Sequence, residues 1–393
     1  MKVLHVIPSI APVHGGPSAA LPVMAAALER AGVDVDVVTT DDAGPGRRFA
    51  GIGSGWVDES WGRCRYFPKQ TDFYKVSVPM LLWLLRHVPD YDAVHVHGLF
   101  SFPSTAGAFA ARVRGVRYFV RPLGVLNQWG LRNRRRWLKR VSMELLELPL
   151  LAGAAAVQYT TRQEEMEARL SGVSARGVVV PIGLDLETYR PCRNPEDFGF
   201  FFPQLSGSRV VLFLSRLDRK KGLEVLLEAF ARLRTGEPDV RLLVAGDGEP
   251  AYVESLMRRA ETLGLGETVL WAGFLEGGAK IAALQGARVY CLPSYSENFG
   301  IAAVEAMACG IPCVFTPGVG IAREAELAGA ALVVPAESRR LEEALGSLLR
   351  SPRRAMEMGE QARWMVEREY SMAGMGAGLK AMYCGENLGE VPA

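Results

Sequence analysis

Two glutamates, Glu297 and Glu305, frame a segment whose composition suits a ligand: Pro293-Ser294-Tyr295-Ser296-Glu297-Asn298-Phe299-Gly300. The spacing predicts a helix over 299–308. Its first backbone amides, from Asn298, Phe299, Gly300 and Ile301, have no partner within the helix and suit phosphate or sugar oxygens. Gly300 lets such a ligand approach the backbone closely. Glu305 lies about six residues into the helix, roughly 9 Å along its axis. That is comparable to the span from a pyrophosphate to a ribose, and a carboxylate there accepts hydrogen bonds from vicinal hydroxyls. In the competing reading Glu297 is a helix-start carboxylate and Glu305 a surface residue. Against it, Ala302, Ala303, Val304, Ala306, Met307 and Ala308 surround Glu305 with small apolar side chains, a setting uncommon for a solvated face. Upstream, Arg216 and Lys221 sit in Ser215–Gly222, between a predicted strand and a predicted helix. A guanidinium and an ammonium there suit a diphosphate, with the helix dipole adding to both charges. A solvated basic loop is the alternative.

These segments need elements to hold them. The chain has 393 residues, 49% apolar and 22% charged, which excludes disorder and collagen-like repeats. β-Branched runs at 2–7, 33–39, 93–96, 116–120, 154–159, 177–180, 209–214, 240–245, 268–272, 287–292, 312–315 and 331–334 alternate with helical patterns, among them 17–31, 223–233, 252–263 and 299–308. Strands apolar almost throughout point to parallel sheets covered on both faces, hence an α/β protein with doubly wound sheets. The Pro/Asn/Gly/Phe-rich stretch 186–208 breaks the rhythm and divides the chain. The expected parts are an N-terminal Rossmann-like domain over 1–195, a C-terminal one over 206–370, a cleft between them, and a last helix at 371–393 packing back on the first domain. Ligands of such sheets bind beyond the carboxyl ends of the strands. That rule selects Gly15-Gly16, His97-Gly98, Ser215–Gly222, Gly246-Asp247-Gly248 and the 293–300 segment.

In that order and spacing the chain resembles the retaining GT-B glycosyltransferases of family four, also called group 1. The resemblance rests on Glu297-x7-Glu305 with Asn-Phe-Gly between, then Glu-Ala-Met-Ala-Cys-Gly-Ile-Pro; on Arg216-x4-Lys221-Gly222; and on Gly246-Asp247-Gly248 and Gly273-Phe274. In the N-terminal half it rests on Gly15-Gly16 and on His-Val-His-Gly at 95–98. It implies transfer of a sugar from a nucleoside-diphosphate sugar, such as a UDP- or GDP-sugar, to a hydroxyl acceptor with retention at the anomeric carbon. The implied setting is bacterial polysaccharide, lipopolysaccharide or glycolipid assembly. The donor would sit mainly on the C-terminal domain and the acceptor on the N-terminal one. It further implies that Arg216 and Lys221 bind the diphosphate, Glu297 the sugar hydroxyls and Glu305 the ribose. Gly246, Ser294 and the residues 298–301 would complete the donor site. Gly16 would offer its amide to the distal phosphate, and His97 would hydrogen-bond a hydroxyl beside the reacting sugar. No metal or other cofactor is expected. A nucleotide-sugar epimerase or a phosphorylase on the same fold, and a non-catalytic bilobed sugar-binding protein, are the alternatives. A nicotinamide-dependent oxidoreductase would share the sheets, but this chain has no Gly-x-Gly-x-x-Gly after a strand.

The remaining polar groups divide less cleanly. His97 is favoured over His95 because it ends its strand immediately before Gly98. Arg121, Asn127 and Trp129 follow another N-domain strand and are either acceptor-lining or an ordinary crossover loop. Arg132, Arg134, Arg135, Arg136, Trp137, Lys139 and Arg140 form a basic cluster, which suits an anionic membrane surface or an anionic acceptor and equally a charged helix face. Asp34-Val35-Asp36 mimics a metal-binding Asp-x-Asp, but lies within an alternating strand and reads as solvent-facing edge charges. Asp41-Asp42 reads as a polar loop. Cys309 and Cys313 lack a second ligand pair for zinc, and six scattered cysteines give no disulfide framework. A formal charge of +2 speaks against a nucleic-acid binder. The apolar run ending at Ile7 reads as a strand, and no stretch is long enough to span a bilayer. The expected location is the cytoplasm, free or peripheral at the inner membrane face.

Overall fold

The computed structural model describes residues 1–50, 53, 55–127, 140–190 and 195–386. It comprises two compact units, Met1–Gly183 with Met372–Ala393, and Leu184–Ser371. The division thus falls at 183/184, before the Pro-rich break at 186–208, because the turn Leu186–Tyr189 and the helix Pro195–Phe201 pack with the second unit.

The first unit carries eight strands: β1 (Lys2–Val6), β2 (Asp34–Thr40), β3 (Trp56–Glu59), β4 (Gly62–Phe67), β5 (Ala93–His97), β6 (Tyr118–Arg121), β7 (Ala156–Tyr159) and β8 (Gly177–Val179). Their order is β3-β4-β2-β1-β5-β6-β7-β8, parallel except for the β3–β4 pair. Val3, Leu4, Val6, Val37, Val38, Val94 and Val96 are fully enclosed, as strands covered on both faces require. The helix Met372–Cys384 belongs to this unit and lies on the helix Gly16–Arg30. Gly376 makes the close approach possible, since a Cβ there would overlap the Ala27 carbonyl oxygen.

The β3–β4 hairpin has no counterpart among the sequence expectations, and it changes the place of β2. With β4 outside it, β2 is an interior strand, so Asp36 is not a solvent-facing edge charge. Asp36 is buried and meets both arms of the Arg63 guanidinium at 2.9 and 2.8 Å, the Tyr91 hydroxyl at 2.8 Å and Lys2 at 3.2 Å.

The second unit carries six parallel strands: β9 (Arg209–Leu214), β10 (Val240–Ala245), β11 (Val269–Gly273), β12 (Val289–Leu292), β13 (Cys313–Phe315) and β14 (Ala331–Val333), in the order β11-β10-β9-β12-β13-β14. The strand order reverses beside β9, which pairs with β10 on one side and β12 on the other. Such a switch point leaves a crevice at the carboxyl ends of the strands. Both units are Rossmann-like. Cys291, Cys309 and Cys313 are buried in this unit. Among the described residues, no helix is long and apolar enough to cross a membrane.

Candidate active site

At the carboxyl end of β9 the chain turns through Ser215–Gly222. Two backbone bonds tie it to the loop after β10: Ser215 donates to the Ala245 carbonyl at 3.1 Å and Leu217 to that of Asp247 at 2.8 Å. The Asp218 side chain caps the short turn Arg219–Lys221, and Gly222 leaves it with φ +66° to start the helix Leu223–Gly236. A Cβ on Gly222 would overlap the Pro293 carbonyl oxygen, so only glycine lets the loops after β9 and β12 touch. The Tyr295 amide donates to the Lys220 carbonyl at 2.8 Å. This stitching delivers Lys221 to Glu297, and the ammonium and carboxylate form an ion pair with 4% and 19% of their side chains exposed. Burial, with the positive charges of Lys220 and Arg216, bears down on the Lys221 pKa. Glu297 is the anion that offsets them. Arg216 stays exposed at the mouth of the loop.

The segment 293–300 is braced from behind. The Glu297 amide donates to the Gly318 carbonyl at 2.7 Å, and the Glu297 carbonyl accepts from Gly320 at 2.8 Å. Ser294, expected at the donor, is instead fully buried, and its carbonyl accepts from Thr316 at 2.6 Å. It supports the loop. The Phe299 ring is likewise buried, edge-on to Tyr370, which leaves its backbone as the part open to a ligand role. Gly300, at φ +86°, caps the helix Ile301–Ala308, which is two residues shorter at its start than the periodicity suggests. Gly246 is a spacer: its amide donates to the Gly273 carbonyl at 2.6 Å, and its Cα faces the Ser215 carbonyl.

Glu305 is buried as its apolar neighbours require, with partners that sequence reasoning missed. Its Oε1 accepts from the Tyr189 hydroxyl at 2.7 Å and from Lys280 Nζ at 2.8 Å. A signal existed: between residues 209 and 371 the only lysines are Lys220, Lys221 and Lys280, and a buried carboxylate needs a counter-ion.

In the first unit, Gly15 (φ +74°) leads into the helix that begins at Gly16. The loop before it is anchored by His14, whose Nε2 meets Asp42 at 2.6 Å. Asp42 is buried and also pairs with Lys69 at 2.7 Å and with Lys75, and these hydrogen bonds outweigh its burial and hold its carboxyl well below the usual range. It is a hub, not part of a polar loop. His97 does not stand at a surface. It is fully enclosed, its Nε2 lies 3.0 Å from His5 Nδ1, and the Tyr383 hydroxyl bridges His95 Nδ1 (2.7 Å) and His5 Nε2 (3.3 Å). So enclosed, the side chain offers no atom to solvent in this structure. The three imidazoles lie close enough to share a metal ion. Four of their six nitrogens, however, are engaged with one another or with Tyr383, and the Arg121 charge acts on all three. Arg121 is buried as well, with Nε and Nη1 lacking partners among the described residues. Burial lowers its pKa to about 10. Asn127 lies on the loop after β6. Trp129, Arg132, Arg134, Arg135, Arg136, Trp137 and Lys139 lie outside the described residues, while Arg140 is exposed and pairs with Glu144.

Burial carries His5 down to about 3, and His95 and His97 well below their ordinary value. All three are neutral when folded, and the unfolded chain takes up protons first. Their stabilising effect is therefore complete above pH 6.5 and is lost as pH falls from there toward 3. Thermal unfolding recorded between pH 7.5 and 5 should show this loss, and the replacement H95N should flatten it. A melting temperature indifferent to pH over that range contradicts the enclosed cluster.

Two family models match the chain: "Glycosyl transferases group 1" over residues 198–365 and "Glycosyl transferase 4-like domain" over residues 15–183. A phosphatidyl-myo-inositol mannosyltransferase of Mycobacterium leprae is 33% identical over 208 residues, 51% of this chain and 50% of its own length. The chain thus spans about half the length of that relative. D-inositol 3-phosphate glycosyltransferase 1 of Catenulispora acidiphila is 30% identical over 305 residues, 73% of this chain and 71% of its own. The crystal structure of Anabaena Alr3699/HepE in complex with UDP and glucose matches with a TM-score of 0.77 at 19% identity, covering 98% of this chain and 99% of that one. On the extent of these matches and the two Rossmann-like units, the chain belongs to the group 1 glycosyltransferases and has their GT-B fold.

Proposed function

We propose that the protein transfers a sugar from a nucleoside-diphosphate sugar to a hydroxyl acceptor, with retention at the anomeric carbon. The observation that carries this reading is the Lys221–Glu297 ion pair at the switch point of the second sheet, with Glu305 eight positions further on. Arg216, Lys221 and the amides opening the helix Ile301–Ala308 stabilise the charge that grows on the departing diphosphate, in a place where burial strengthens each interaction. Glu297 then exchanges part of its bond to Lys221 for the hydroxyls of the donor sugar. The leaving oxygen accepts the proton of the attacking hydroxyl on the same face of the sugar, so no second carboxylate is needed. Arg216 and Lys221 supply the positive charge that a divalent ion supplies in other transferases, and chelation with EDTA should leave the rate unchanged.

The names of the two curated relatives, an inositol phosphate and a phosphatidylinositol enzyme, favour a polyol or glycolipid acceptor. They agree with a role in assembling surface glycolipid or polysaccharide. The full chain, screened with UDP, GDP and their sugars, should gain melting temperature with its cognate nucleotide by mass action. Proton NMR of the product made with that donor should show the anomeric configuration of the donor kept. An inverted product excludes the front-face route. Turnover of the donor to an isomeric nucleotide sugar without any acceptor identifies an epimerase instead.

A further inference from the structure

The mechanism above assigns Glu305 to the ribose and leaves Tyr189 and Lys280 without a task. Glu305 projects from the helix Ile301–Ala308 among alanines and valine, with 8% of its side chain exposed. A carboxylate in that setting needs a counter-ion and hydrogen-bond donors. Both donors it finds converge on the same oxygen: the Tyr189 hydroxyl and Lys280 Nζ reach Oε1, and they stand 3.4 Å from each other. The Lys280 ammonium also lies 5.8 Å from the centre of the Tyr189 ring. Burial and the nearby carboxylate raise the Tyr189 pKa, so its hydroxyl remains a donor. Among the described residues, nothing donates to Oε2.

We propose that Lys280 and Tyr189 are positioning residues that clamp Oε1 of Glu305 and thereby present Oε2, with its two lone pairs, to the vicinal diol of the nucleotide ribose. The clamp makes Glu305 a discriminator of ribose from deoxyribose and not merely a polar lining. An ionised carboxylate only accepts hydrogen bonds, and a diol offers two donors that one correctly turned oxygen takes together. A deoxyribose supplies one donor and leaves part of that acceptor unmatched in a dry site. Tyr189 comes from the turn Leu186–Tyr189 and Lys280 from the helix Gly277–Gly286. The orientation of Glu305 is therefore set by two elements that carry none of the phosphate-binding residues. The proposal rests on the donor site assigned above.

Calorimetric titration of the full chain with UDP and GDP and with their 2′-deoxy forms tests it without an acceptor. The wild type should bind its ribonucleotide at least tenfold more tightly than the deoxy form. K280M and Y189F should lower that ratio to within about threefold of unity, chiefly by weakening the ribonucleotide, and K280R should restore most of it by returning the cation. Equal binding of the two forms by the wild type overturns the proposal. So does a K280M or Y189F protein that keeps the wild-type ratio, or that weakens both nucleotides equally. Should either variant fail to fold, the wild-type ratio and that of K280R decide. If neither ribonucleotide binds the wild type at all, the donor-site assignment itself falls.

Discussion

Replacing Lys221 with Ala is expected to lower sugar transfer by a hundred- to a thousandfold, about 3–4 kcal/mol of barrier, the range for removing one charge-stabilising donor from a buried site. Three features make the effect large. The ammonium is almost completely enclosed, so no water takes its place at full strength. Its charge is held beside those of Lys220 and Arg216, and a leaving diphosphate neutralises the group together. Glu297 loses its ion-pair partner and would stand as a lone carboxylate where the diphosphate is proposed to bind. The last effect weakens donor binding as well as the chemical step, so KM should rise while kcat falls. Stability should change little, because Glu297 is exposed enough to be hydrated once its partner is gone. Steady-state kinetics with the cognate nucleotide sugar, beside a melting curve, separate the two. Near-wild-type kcat/KM in K221A removes Lys221 from the mechanism.

Gly246 to Ala is expected to be the most damaging of the conservative changes at the site, by a different route. Its φ of +137° is one that a side chain rarely adopts, and the new methyl would overlap the Ser215 carbonyl oxygen. Strain of that kind, with displacement of packed backbone, costs about 3 kcal/mol. In a unit of this size that lowers the melting temperature by about 6–12 °C. The backbone pushed away is that of Ser215, immediately before Arg216, so donor affinity should fall as well. Gly236 provides the control, since a Cβ there meets nothing within 4 Å, and G236A should melt within about 2 °C of the wild type. Equal melting of G246A and the wild type would mean that the loops after β9 and β10 are not held together in this way.

What the sequence disclosed follows from how local each signal is. The strands of both sheets stand close to the apolar runs that announce them, because a strand enclosed on both faces has no room for polar residues. The pair β3 and β4 escaped notice for the converse reason. Gly62-Arg63-Cys64-Arg65-Tyr66-Phe67 alternates weakly, and its arginines look like solvent residues until Asp36 is seen to need one. Asp36 was misplaced with them, since the edge of a sheet is a property of strand order and not of composition. The residues proposed to bind phosphate were legible because a loop and the helix after it are contiguous. Tyr189 and Lys280 were not, since 91 and 116 positions separate Tyr189 from Lys280 and Glu305. His97 illustrates the opposite error: the carboxyl end of a strand suggests access, but three imidazoles and Tyr383 from the far end of the chain close over one another.

The central claim is that the second unit grips a nucleoside diphosphate through Arg216 and Lys221 and its ribose through Glu305. A crystal structure of the full chain with its cognate nucleoside diphosphate tests this most directly. The diphosphate oxygens should lie within hydrogen-bond reach of the Arg216 guanidinium and the Lys221 ammonium, with a ribose hydroxyl on Glu305 Oε2. A nucleotide bound elsewhere, with Lys221 and Glu297 still paired to each other and untouched, would contradict it.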